Sequence, residues 1–305
     1  MKISRREFLK WCTASAAAMG ITKVELDKLE TIVMAAETAP SVIWLQGSGC
    51  SGCTISLLNA VENTTIDNLL LNQISMKYHS SLMVAAGQTA MSIIDDAIAT
   101  LSGKFILVVE GGIPTANNGI YCVLGERNGS HWTMVNAVRE LAPHAKYIVN
   151  AGTCSSFGGV AKLGTNPTGV TSVSGLLGTT VSSKLVNLPG CPVHPYTLTK
   201  TLIDLLLYGM PSVDYNRMPR AFYSYEVHDR CPFREYDEVK SLGVIGCYEE
   251  LGCKGPSTYN DCPTRKWNNK VNWCIGAGHM CIGCAGKNFG SGPIYKFGTG
   301  TSYDD

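Results

Sequence analysis

Cysteine placement constrains this chain more than any other feature, because 13 of its 305 residues are cysteines. Cys50, Cys53, Cys154 and Cys191 each follow a short segment rich in β-branched and apolar residues. If those segments are parallel strands, their carboxyl ends meet at one edge of the sheet, where open α/β sheets bind ligands. Four thiolates there suit a [4Fe–4S] cluster or a closed zinc site. The glycines beside this sheet-edge set admit backbone N–H groups to sulfur, which favours the cluster.

The last third of the chain holds eight more candidate ligands, taken here in chain order. The histidine set consists of His228, Cys231, Cys247 and Cys253. The C-terminal set consists of Cys262, Cys274, Cys281 and Cys284. With the sheet-edge set they make twelve ligands in three groups of four, which predicts three [4Fe–4S] clusters. Two cysteines are left over: Cys12 lies in the segment 1–36, and Cys122 is interpreted as a buried thiol that behaves as a small apolar side chain. Three clusters without a substrate pocket predict a chain that carries electrons between two distant sites.

Alternating β-rich and helical segments occupy the chain from about residue 41 to residue 208. Strands are predicted at 41–46, 74–79, 104–110, 146–150 and 184–188, and helices at about 54–61, 88–101, 131–141 and 196–208. This alternation is typical of βαβ units and predicts an α/β fold, with a doubly wound, mostly parallel sheet covered by helices. The following residues are rich in glycine, proline and cysteine, so they need clusters to staple them together. The predicted domains are residues 37–208 and 209–305.

Residues 1–36 predict an export signal rather than a part of the fold. Arg5 and Arg6 lie in the run SRREFLK, which matches the twin-arginine pattern, and a modest apolar stretch follows at 11–21. Small residues near 33–36 suit a signal peptidase. The alternative is a basic amphipathic helix in a cytosolic protein. Because the twin-arginine route carries folded proteins, a periplasmic chain of this kind can keep its thiols on metal instead of in disulfides.

Composition excludes two classes of protein. The net charge of +1 gives no electrostatic reason to bind nucleic acid. No run reaches the roughly 18 uninterrupted apolar residues of a membrane span, so no transmembrane anchor is expected. Charged residues make up only 16% of the chain, against about 25% in typical domains. A surface so poor in charge predicts that part of it is covered by another subunit.

The cysteine-bearing motifs as a group resemble the small subunit of nickel–iron hydrogenases. The motifs are GSGCSGC (47–53), VEGGIP (109–114), GTC (152–154), PGCPVHP (189–195), GCKGPSTYNDC (252–262), NWC (272–274) and CIGC (281–284). The resemblance implies a flavodoxin-like first domain without a flavin. It also implies a heterodimer for H2 oxidation or evolution, whose nickel–iron centre lies in the large subunit. In this family the sheet-edge set holds the proximal cluster, the histidine set the distal cluster and the C-terminal set the medial cluster.

Two positions depart from the commonest pattern of that family. Most relatives have a proline where Cys274 stands, and their medial cluster has three irons. Many have an acidic residue where Gly49 stands. Both departures resemble the nickel–iron–selenium branch, whose medial cluster has four irons. The chain ends at Asp305 without the hydrophobic anchor of membrane-bound relatives, and the resemblance then implies a soluble multihaem cytochrome c as electron partner.

Several alternatives remain open from the sequence. A related F420-reducing or quinone-reducing complex is the enzymatic alternative, and an exported binding module stapled by disulfides is the non-enzymatic one. Glu110 is interpreted either as organising the subunit interface near the proximal cluster or as an ordinary capping or solvated carboxylate. His194 either orders the proximal loop, contacts the partner or is merely structural. Lys254 and Arg265 either tune a cluster potential or face solvent.

Overall fold

The computed structural model of the protein describes residues 39–127 and 129–289. The predicted signal, residues 1–36, therefore lies outside the described residues. The strands are β1 (Ser41–Gln46), β2 (Ser75–His79), β3 (Ile106–Glu110), β4 (Ile113–Pro114), β5 (Val123–Arg127), β6 (Ser130–Thr133), β7 (Tyr147–Ala151), β8 (Val170–Thr171) and β9 (Leu185–Leu188). Five of them form one parallel sheet in the order β2-β1-β3-β7-β9. The five predicted strands are these five, so the predicted parallel sheet is confirmed.

Helices cover both faces of this sheet. They are α1 (Gly52–Leu58), α2 (Ile66–Asn68), α3 (Gly87–Thr100), α4 (Met134–His144), α5 (Thr153–Phe157), α6 (Val173–Leu177), α7 (Pro195–Leu207), α8 (Arg220–Tyr223) and α9 (Cys262–Arg265). Successive side chains of a strand point to opposite faces. Accordingly Ile43 and Leu45 pack with α3 and α4, whereas Val42 and Trp44 pack with α1 and α7. No helix in the described part of the chain is long and apolar enough to cross a bilayer.

The predicted helix at 131–141 is wrong at its beginning. Residues 130–133 form β6, which pairs antiparallel with β5, and α4 begins only at Met134. The Thr133 side chain accepts a hydrogen bond from the Asn136 backbone N–H at 3.4 Å and so caps the helix. Trp132 lies in β6 but its side chain is buried, so the spacing of buried apolar residues in the helix extends backwards into the strand. Periodicity alone therefore could not locate the boundary.

The segment from 209 to 289 has little regular structure, as its composition predicted. Beyond α8 and α9 it contains short 3₁₀ turns and isolated bridges. Its own core is small, built around Val227, Tyr248, Trp273, Ile275 and Met280 with several cysteines among them. A core of this size stabilises a fold weakly without a cross-link or a metal. The cysteines at its centre are where such a cross-link would act.

Candidate cluster-binding sites

Three loops at the carboxyl edge of the sheet carry the sheet-edge set. Cys50 lies in the loop after β1, and Cys53 lies in the first turn of α1. Cys154 lies in α5, which follows β7, and Cys191 comes three residues after β9. The β7 loop approaches so closely that a Cβ on Gly152 would lie 2.5 Å from Cys53 Sγ. Only glycine leaves room for that sulfur, so the loops that carry Cys53 and Cys154 lie against each other.

The sulfurs of this set are close enough to influence one another's ionisation. Burial raises the pKa of Cys53 well above its ordinary value, and the Cys154 and Cys191 thiolates raise it further. Burial raises the pKa of Cys191 to about 12, with Cys284, Cys154 and Cys50 contributing. Thiolates held together in this way are unfavourable on their own. A bound cationic metal or cluster would remove that penalty, since its ligands must be deprotonated.

Glu110 ends β3 directly behind the sheet-edge set and is only 3% exposed. Its Oε1 accepts hydrogen bonds from the backbone N–H groups of Cys53 and Thr54, both at 3.0 Å. Its Oε2 accepts from Trp44 Nε1 at 2.8 Å, from the Thr54 hydroxyl and from Gln46 Nε2 at 3.4 Å. Five donors on one buried carboxylate fix the beginning of α1. These contacts match the capping interpretation of Glu110 and are incompatible with a solvated carboxylate, whereas a role at the subunit interface stays a prediction.

His79 belongs to the same buried network, although no sequence motif indicates it. Burial lowers the pKa of His79 to about 4, so the ring is neutral. Nδ1 accepts from the Ser81 backbone N–H at 3.2 Å, so Nε2 carries the proton and donates to Thr54 Oγ1 at 3.2 Å. The Thr54 hydroxyl in turn donates its own hydrogen bond to Glu110. Only the tertiary contact between β2 and α1 reveals this residue.

The C-terminal set gathers around one loop and one short helix. Cys262 begins α9, Cys274 directly precedes a 3₁₀ turn, and Cys281 and Cys284 lie in the loop near the end of the described chain. Burial raises the pKa of Cys262 well above its ordinary value, and Cys284, Cys281 and Cys274 raise it further. The Gly283 backbone N–H donates to Cys281 Sγ at 3.4 Å. The structure therefore brings Cys274 together with the other three cysteines.

The histidine set lies where several turns of the same segment meet. Ligand atoms of His228 and Cys247 lie within 4.8 Å of one another. Gly255 separates His228 from Cys253, since a Cβ on it would lie 3.7 Å from His228 Cβ and 3.4 Å from Cys253 Sγ. Burial raises the pKa of Cys253, and the Cys231 and Cys247 thiolates contribute to the rise. The four residues therefore lie in one neighbourhood, in which only His228 and Cys247 bring their ligand atoms within 4.8 Å.

Carboxylates surround the histidine set, which the motifs did not indicate. A carboxylate oxygen of Glu249 lies within 4.8 Å of the ligand atoms of His228 and Cys247. Partial desolvation raises the pKa of Glu238, and Glu250 and Glu249 raise it further. Residues 226–250 carry seven carboxylates and only three basic side chains. This end of the protein therefore presents negative charge.

The three sets lie in a series, with the C-terminal set in contact with both others. On one side the Cys284 thiolate contributes to the raised pKa of Cys191. On the other side the Cys281 backbone N–H donates to Cys253 Sγ at 3.4 Å. The order along this series is sheet-edge set, C-terminal set, histidine set, which differs from their order in the sequence.

The donor chemistry of the three sets fits iron–sulfur clusters. All twelve cysteines between residues 39 and 289 are free thiols, so the described part of the chain contains no disulfide. Eleven of these thiols belong to the three sets. Backbone N–H groups point at sulfur in both sites of the segment after residue 209, a feature that tunes Fe–S centres. Thiolate and imidazole are also the ligands of zinc, so the donors alone fit both metals.

Comparison with known proteins decides the family. Residues 223–295 match the family model for the C-terminal region of NiFe/NiFeSe hydrogenase small subunits. The periplasmic [NiFeSe] hydrogenase small subunit of Desulfomicrobium baculatum is 39% identical over 315 residues, which cover 97% of this chain and 99% of that protein. The chain belongs to the small-subunit family of nickel–iron hydrogenases. The resemblance inferred from the motifs is thereby confirmed, and the chain is a hydrogenase subunit.

Other comparisons agree with this family. The periplasmic [NiFe] hydrogenase small subunit 1 of Nitratidesulfovibrio vulgaris is 38% identical over 96% of this chain and 93% of that protein. The crystal structure of the reduced Ni-Fe-Se hydrogenase from Desulfomicrobium baculatum matches with a TM-score of 0.79 and 39% identity, over 85% of this chain and all of that chain. Residues 50–205 also match the NADH ubiquinone oxidoreductase 20 Kd subunit family. That match includes the sheet-edge set but not the other two.

Four further residues from the sequence analysis can now be assigned a place in this small-subunit fold. Cys122 is only partly buried, in contrast to the buried thiol expected, and it packs at the edge of one core cluster, where this burial raises its pKa. His194 caps α7 and bonds the Lys266 carbonyl oxygen, so it has a structural role. Arg265 pairs with Asp261 and lies over the Tyr196 ring. Lys254 packs against Gly283, which lies between Cys281 and Cys284 in the sequence.

Proposed function

We propose that this chain is the electron-relay subunit of a periplasmic [NiFeSe]- or [NiFe]-type hydrogenase. It would form a heterodimer with a large subunit that holds the nickel–iron centre and interconverts H2 with protons and electrons. The observation that carries the proposal is the serial arrangement of three ligand sets. A protein related to quinone reductases only through residues 50–205 would need the sheet-edge set alone. The two further sets therefore favour the hydrogenase over the F420-reducing or quinone-reducing alternative.

Each ligand set would hold one cluster in this proposal. Cys50, Cys53, Cys154 and Cys191 would bind the proximal [4Fe–4S] cluster. Cys262, Cys274, Cys281 and Cys284 would bind the medial one, and His228, Cys231, Cys247 and Cys253 the distal one. Each cluster supplies one-electron redox chemistry when bound. The chain's own residues supply the thiolates and the imidazole, exclude water from the buried sulfurs and set the spacing between sites.

The distal end would be the exit for electrons. Imidazole is neutral whereas thiolate is anionic, so His228 makes its site less negative. Histidine ligation raises the potential of Rieske centres, and the same effect here would favour an electron leaving by this site. The excess of carboxylates over residues 226–250 suits a positively charged acceptor. A soluble multihaem cytochrome c with basic side chains around a haem fits that surface.

Export and domain limits also belong to the proposal. Residues 1–36 would be a twin-arginine signal, which suits a chain that folds around its clusters before export. Residues 37–208 would form the flavodoxin-like domain with the proximal cluster, and residues 209–305 the domain with the other two. Support comes from the relatives, whose names place them in the periplasm.

Iron content tests the proposal directly. Three complete [4Fe–4S] clusters require about 12 irons and about 12 inorganic sulfides per small subunit. We expect this content in the anaerobically purified heterodimer, after subtraction of the active-site iron, and no stoichiometric zinc. Elemental and sulfide analysis measures both. About four irons per chain, or one zinc for each ligand set, would contradict the relay.

Replacing Cys274 with proline should change the medial cluster alone. A cuboidal cluster needs a ligand at each iron corner, and Cys274 lies with the other three cysteines of its set. Without its thiolate one corner has no protein ligand, so we expect loss of that iron and a three-iron cluster. Electron paramagnetic resonance of the oxidised protein would show a three-iron signal in Cys274→Pro and none in the native protein. Cys122→Ala, which removes a thiol outside the sets, is the control and should keep the native spectrum. A stoichiometric three-iron signal in native protein would show that Cys274 is not a ligand.

A further inference from the structure

Three buried side chains join the loops that carry Cys154 and Cys191 to the segment that carries the C-terminal set. The Tyr223 hydroxyl donates to the Pro189 carbonyl oxygen at 2.8 Å. His194 Nδ1 accepts from the Tyr196 backbone N–H, so Nε2 carries the proton and donates to the Lys266 carbonyl oxygen at 2.8 Å. The third side chain is Thr153, whose hydroxyl donates to the Cys284 carbonyl oxygen. We call these three hydrogen bonds the seam.

Thr153 differs from the other two because its contacts reach two ligand sets at once. It is 1% exposed and directly precedes Cys154. Its Oγ1 accepts from the Gly190 backbone N–H at 2.8 Å, and its own N–H donates to the Gly190 carbonyl oxygen at 3.0 Å. Gly190 directly precedes Cys191. One hydroxyl therefore ties the Cys154 and Cys191 loops of the sheet-edge set to Cys284 of the C-terminal set.

Cys191 of the sheet-edge set and Cys284 of the C-terminal set are neighbours at the same place. Burial raises the pKa of Cys284 to about 11, and a hydrogen bond from the Cys191 backbone amide opposes the rise. The Cys284 thiolate in turn contributes to the raised pKa of Cys191. The Thr153 hydroxyl thus fixes the loops whose sulfurs face each other across the gap.

We propose that Thr153 is a positioning residue for the proximal-to-medial step of electron transfer, because its hydroxyl holds the Cys284 loop against the Cys191 loop. The inference rests on the proposed function, in which both sets bind clusters. In that step one electron leaves the reduced proximal site and reduces the medial site. Thr153 gives up no proton and forms no covalent bond. Its contribution is a fixed separation and a hydrogen-bonded path between the two sites.

Thr153→Val tests this role, because valine keeps the shape of threonine and removes the hydroxyl. The Gly190 N–H and the Cys284 carbonyl oxygen then lose their shared partner, and the two loops can separate. In the purified, fully loaded heterodimer we expect a weaker spin–spin splitting between the reduced proximal and medial clusters. Hydrogen oxidation with the cytochrome should fall several-fold. The enzymatic exchange of hydrogen isotopes between H2 and water, which needs only the nickel site, should keep its native rate.

Two matched variants separate positioning from general damage. Thr153→Ser keeps the hydroxyl and should restore both the splitting and the turnover. Tyr223→Phe removes another bond of the seam but leaves the Cys284 loop tied, so it should retain the native splitting. Should Thr153→Val fail to accumulate as loaded protein, Thr153→Ala is used instead. In that variant a water can occupy the vacated space and replace part of the hydrogen bonding between the Gly190 N–H and the Cys284 carbonyl oxygen. The variant should then show an intermediate splitting.

The results also separate this inference from the proposed function. A native splitting and native turnover in Thr153→Val would overturn the role of Thr153, as would an equal loss in Tyr223→Phe. The relay itself would still stand in both cases if iron analysis returned the full content. Fewer than three clusters in the native protein would instead contradict the proposed function.

Discussion

Replacing His228 with alanine is expected to stop electrons from leaving the protein while hydrogen activation continues. His228 is the only imidazole of its set, and its ring lies within 4.8 Å of the Cys247 ligand atom. Loss of groups that merely support a metal ligand costs about 10–100-fold, so loss of the ligand itself should cost at least as much. Cytochrome-linked hydrogen oxidation should therefore fall by about 100-fold. Hydrogen–deuterium exchange should survive, because it needs only the nickel centre of the partner.

The control for this experiment is His131→Ala. His131 is an exposed residue of β6 that belongs to none of the three sets, so both activities should remain native. The iron content of His228→Ala and its electron paramagnetic resonance spectrum show whether the other two clusters persist. An equal loss of exchange and of cytochrome reduction would mean that His228 supports the fold rather than the electron exit.

The sequence was sufficient to predict the parallel sheet, whereas the membership of the ligand sets stays a prediction. Buried parallel strands such as β1 and β3 appear as short apolar runs, and cysteines placed after such runs must meet at one edge. The ligands of the two later sets are close in the sequence, and chain order is what groups them in the prediction. The helix at 131–141 was predicted too early, because Trp132 is buried on a strand and extends the apolar pattern of α4 backwards.

The serial order of the sets could not be predicted from spacing. The last set in the sequence lies between the other two because Cys284 meets the Cys191 loop and Cys281 meets Cys253. Those contacts depend on how an irregular segment folds back onto the sheet, and no periodic pattern encodes such a path. For the same reason Thr153 could not be recognised from the sequence, where it is an ordinary threonine. Its importance comes from two backbone partners located 37 and 131 residues away.

The network around Glu110 was also beyond sequence analysis in its details. The motif VEGGIP identified the carboxylate, but its five donors come from β1 and from the beginning of α1. His79, with no motif of its own, reaches Glu110 through Thr54. A neutral histidine and an ionic carboxylate joined by one hydroxyl form a polar network in an otherwise apolar layer. Networks of this kind are strongly stabilising only while every member has a partner.

Glu110→Gln should therefore destabilise the small subunit strongly, although the two side chains have the same shape. An amide has one NH₂ group, and either orientation turns it towards N–H donors that the carboxylate now satisfies. In one orientation the NH₂ group faces the backbone N–H groups of Cys53 and Thr54, and in the other it faces the N–H of Trp44 Nε1. In both cases two donors face each other without an acceptor. A buried donor without a partner costs about 1–3 kcal/mol, and hydrogen bonds to a charged group lose part of their strength when the charge is removed. We expect a total loss of about 3 kcal/mol.

A loss of that size should lower the midpoint of thermal unfolding by about 6–12 °C, on the relation for domains of about 150–250 residues. Glu126→Gln is the matched control, because it makes the same chemical change on a side chain that is 69% exposed. It should shift the stability by no more than about 0.5 kcal/mol. Both variants are measured at one scan rate, since unfolding with cluster loss is irreversible. Because Glu110 holds the Cys53 backbone, the proximal cluster should bleach first on heating. Equal midpoints for the two variants would show that the five hydrogen bonds contribute little, and that α1 is held in place by its packing.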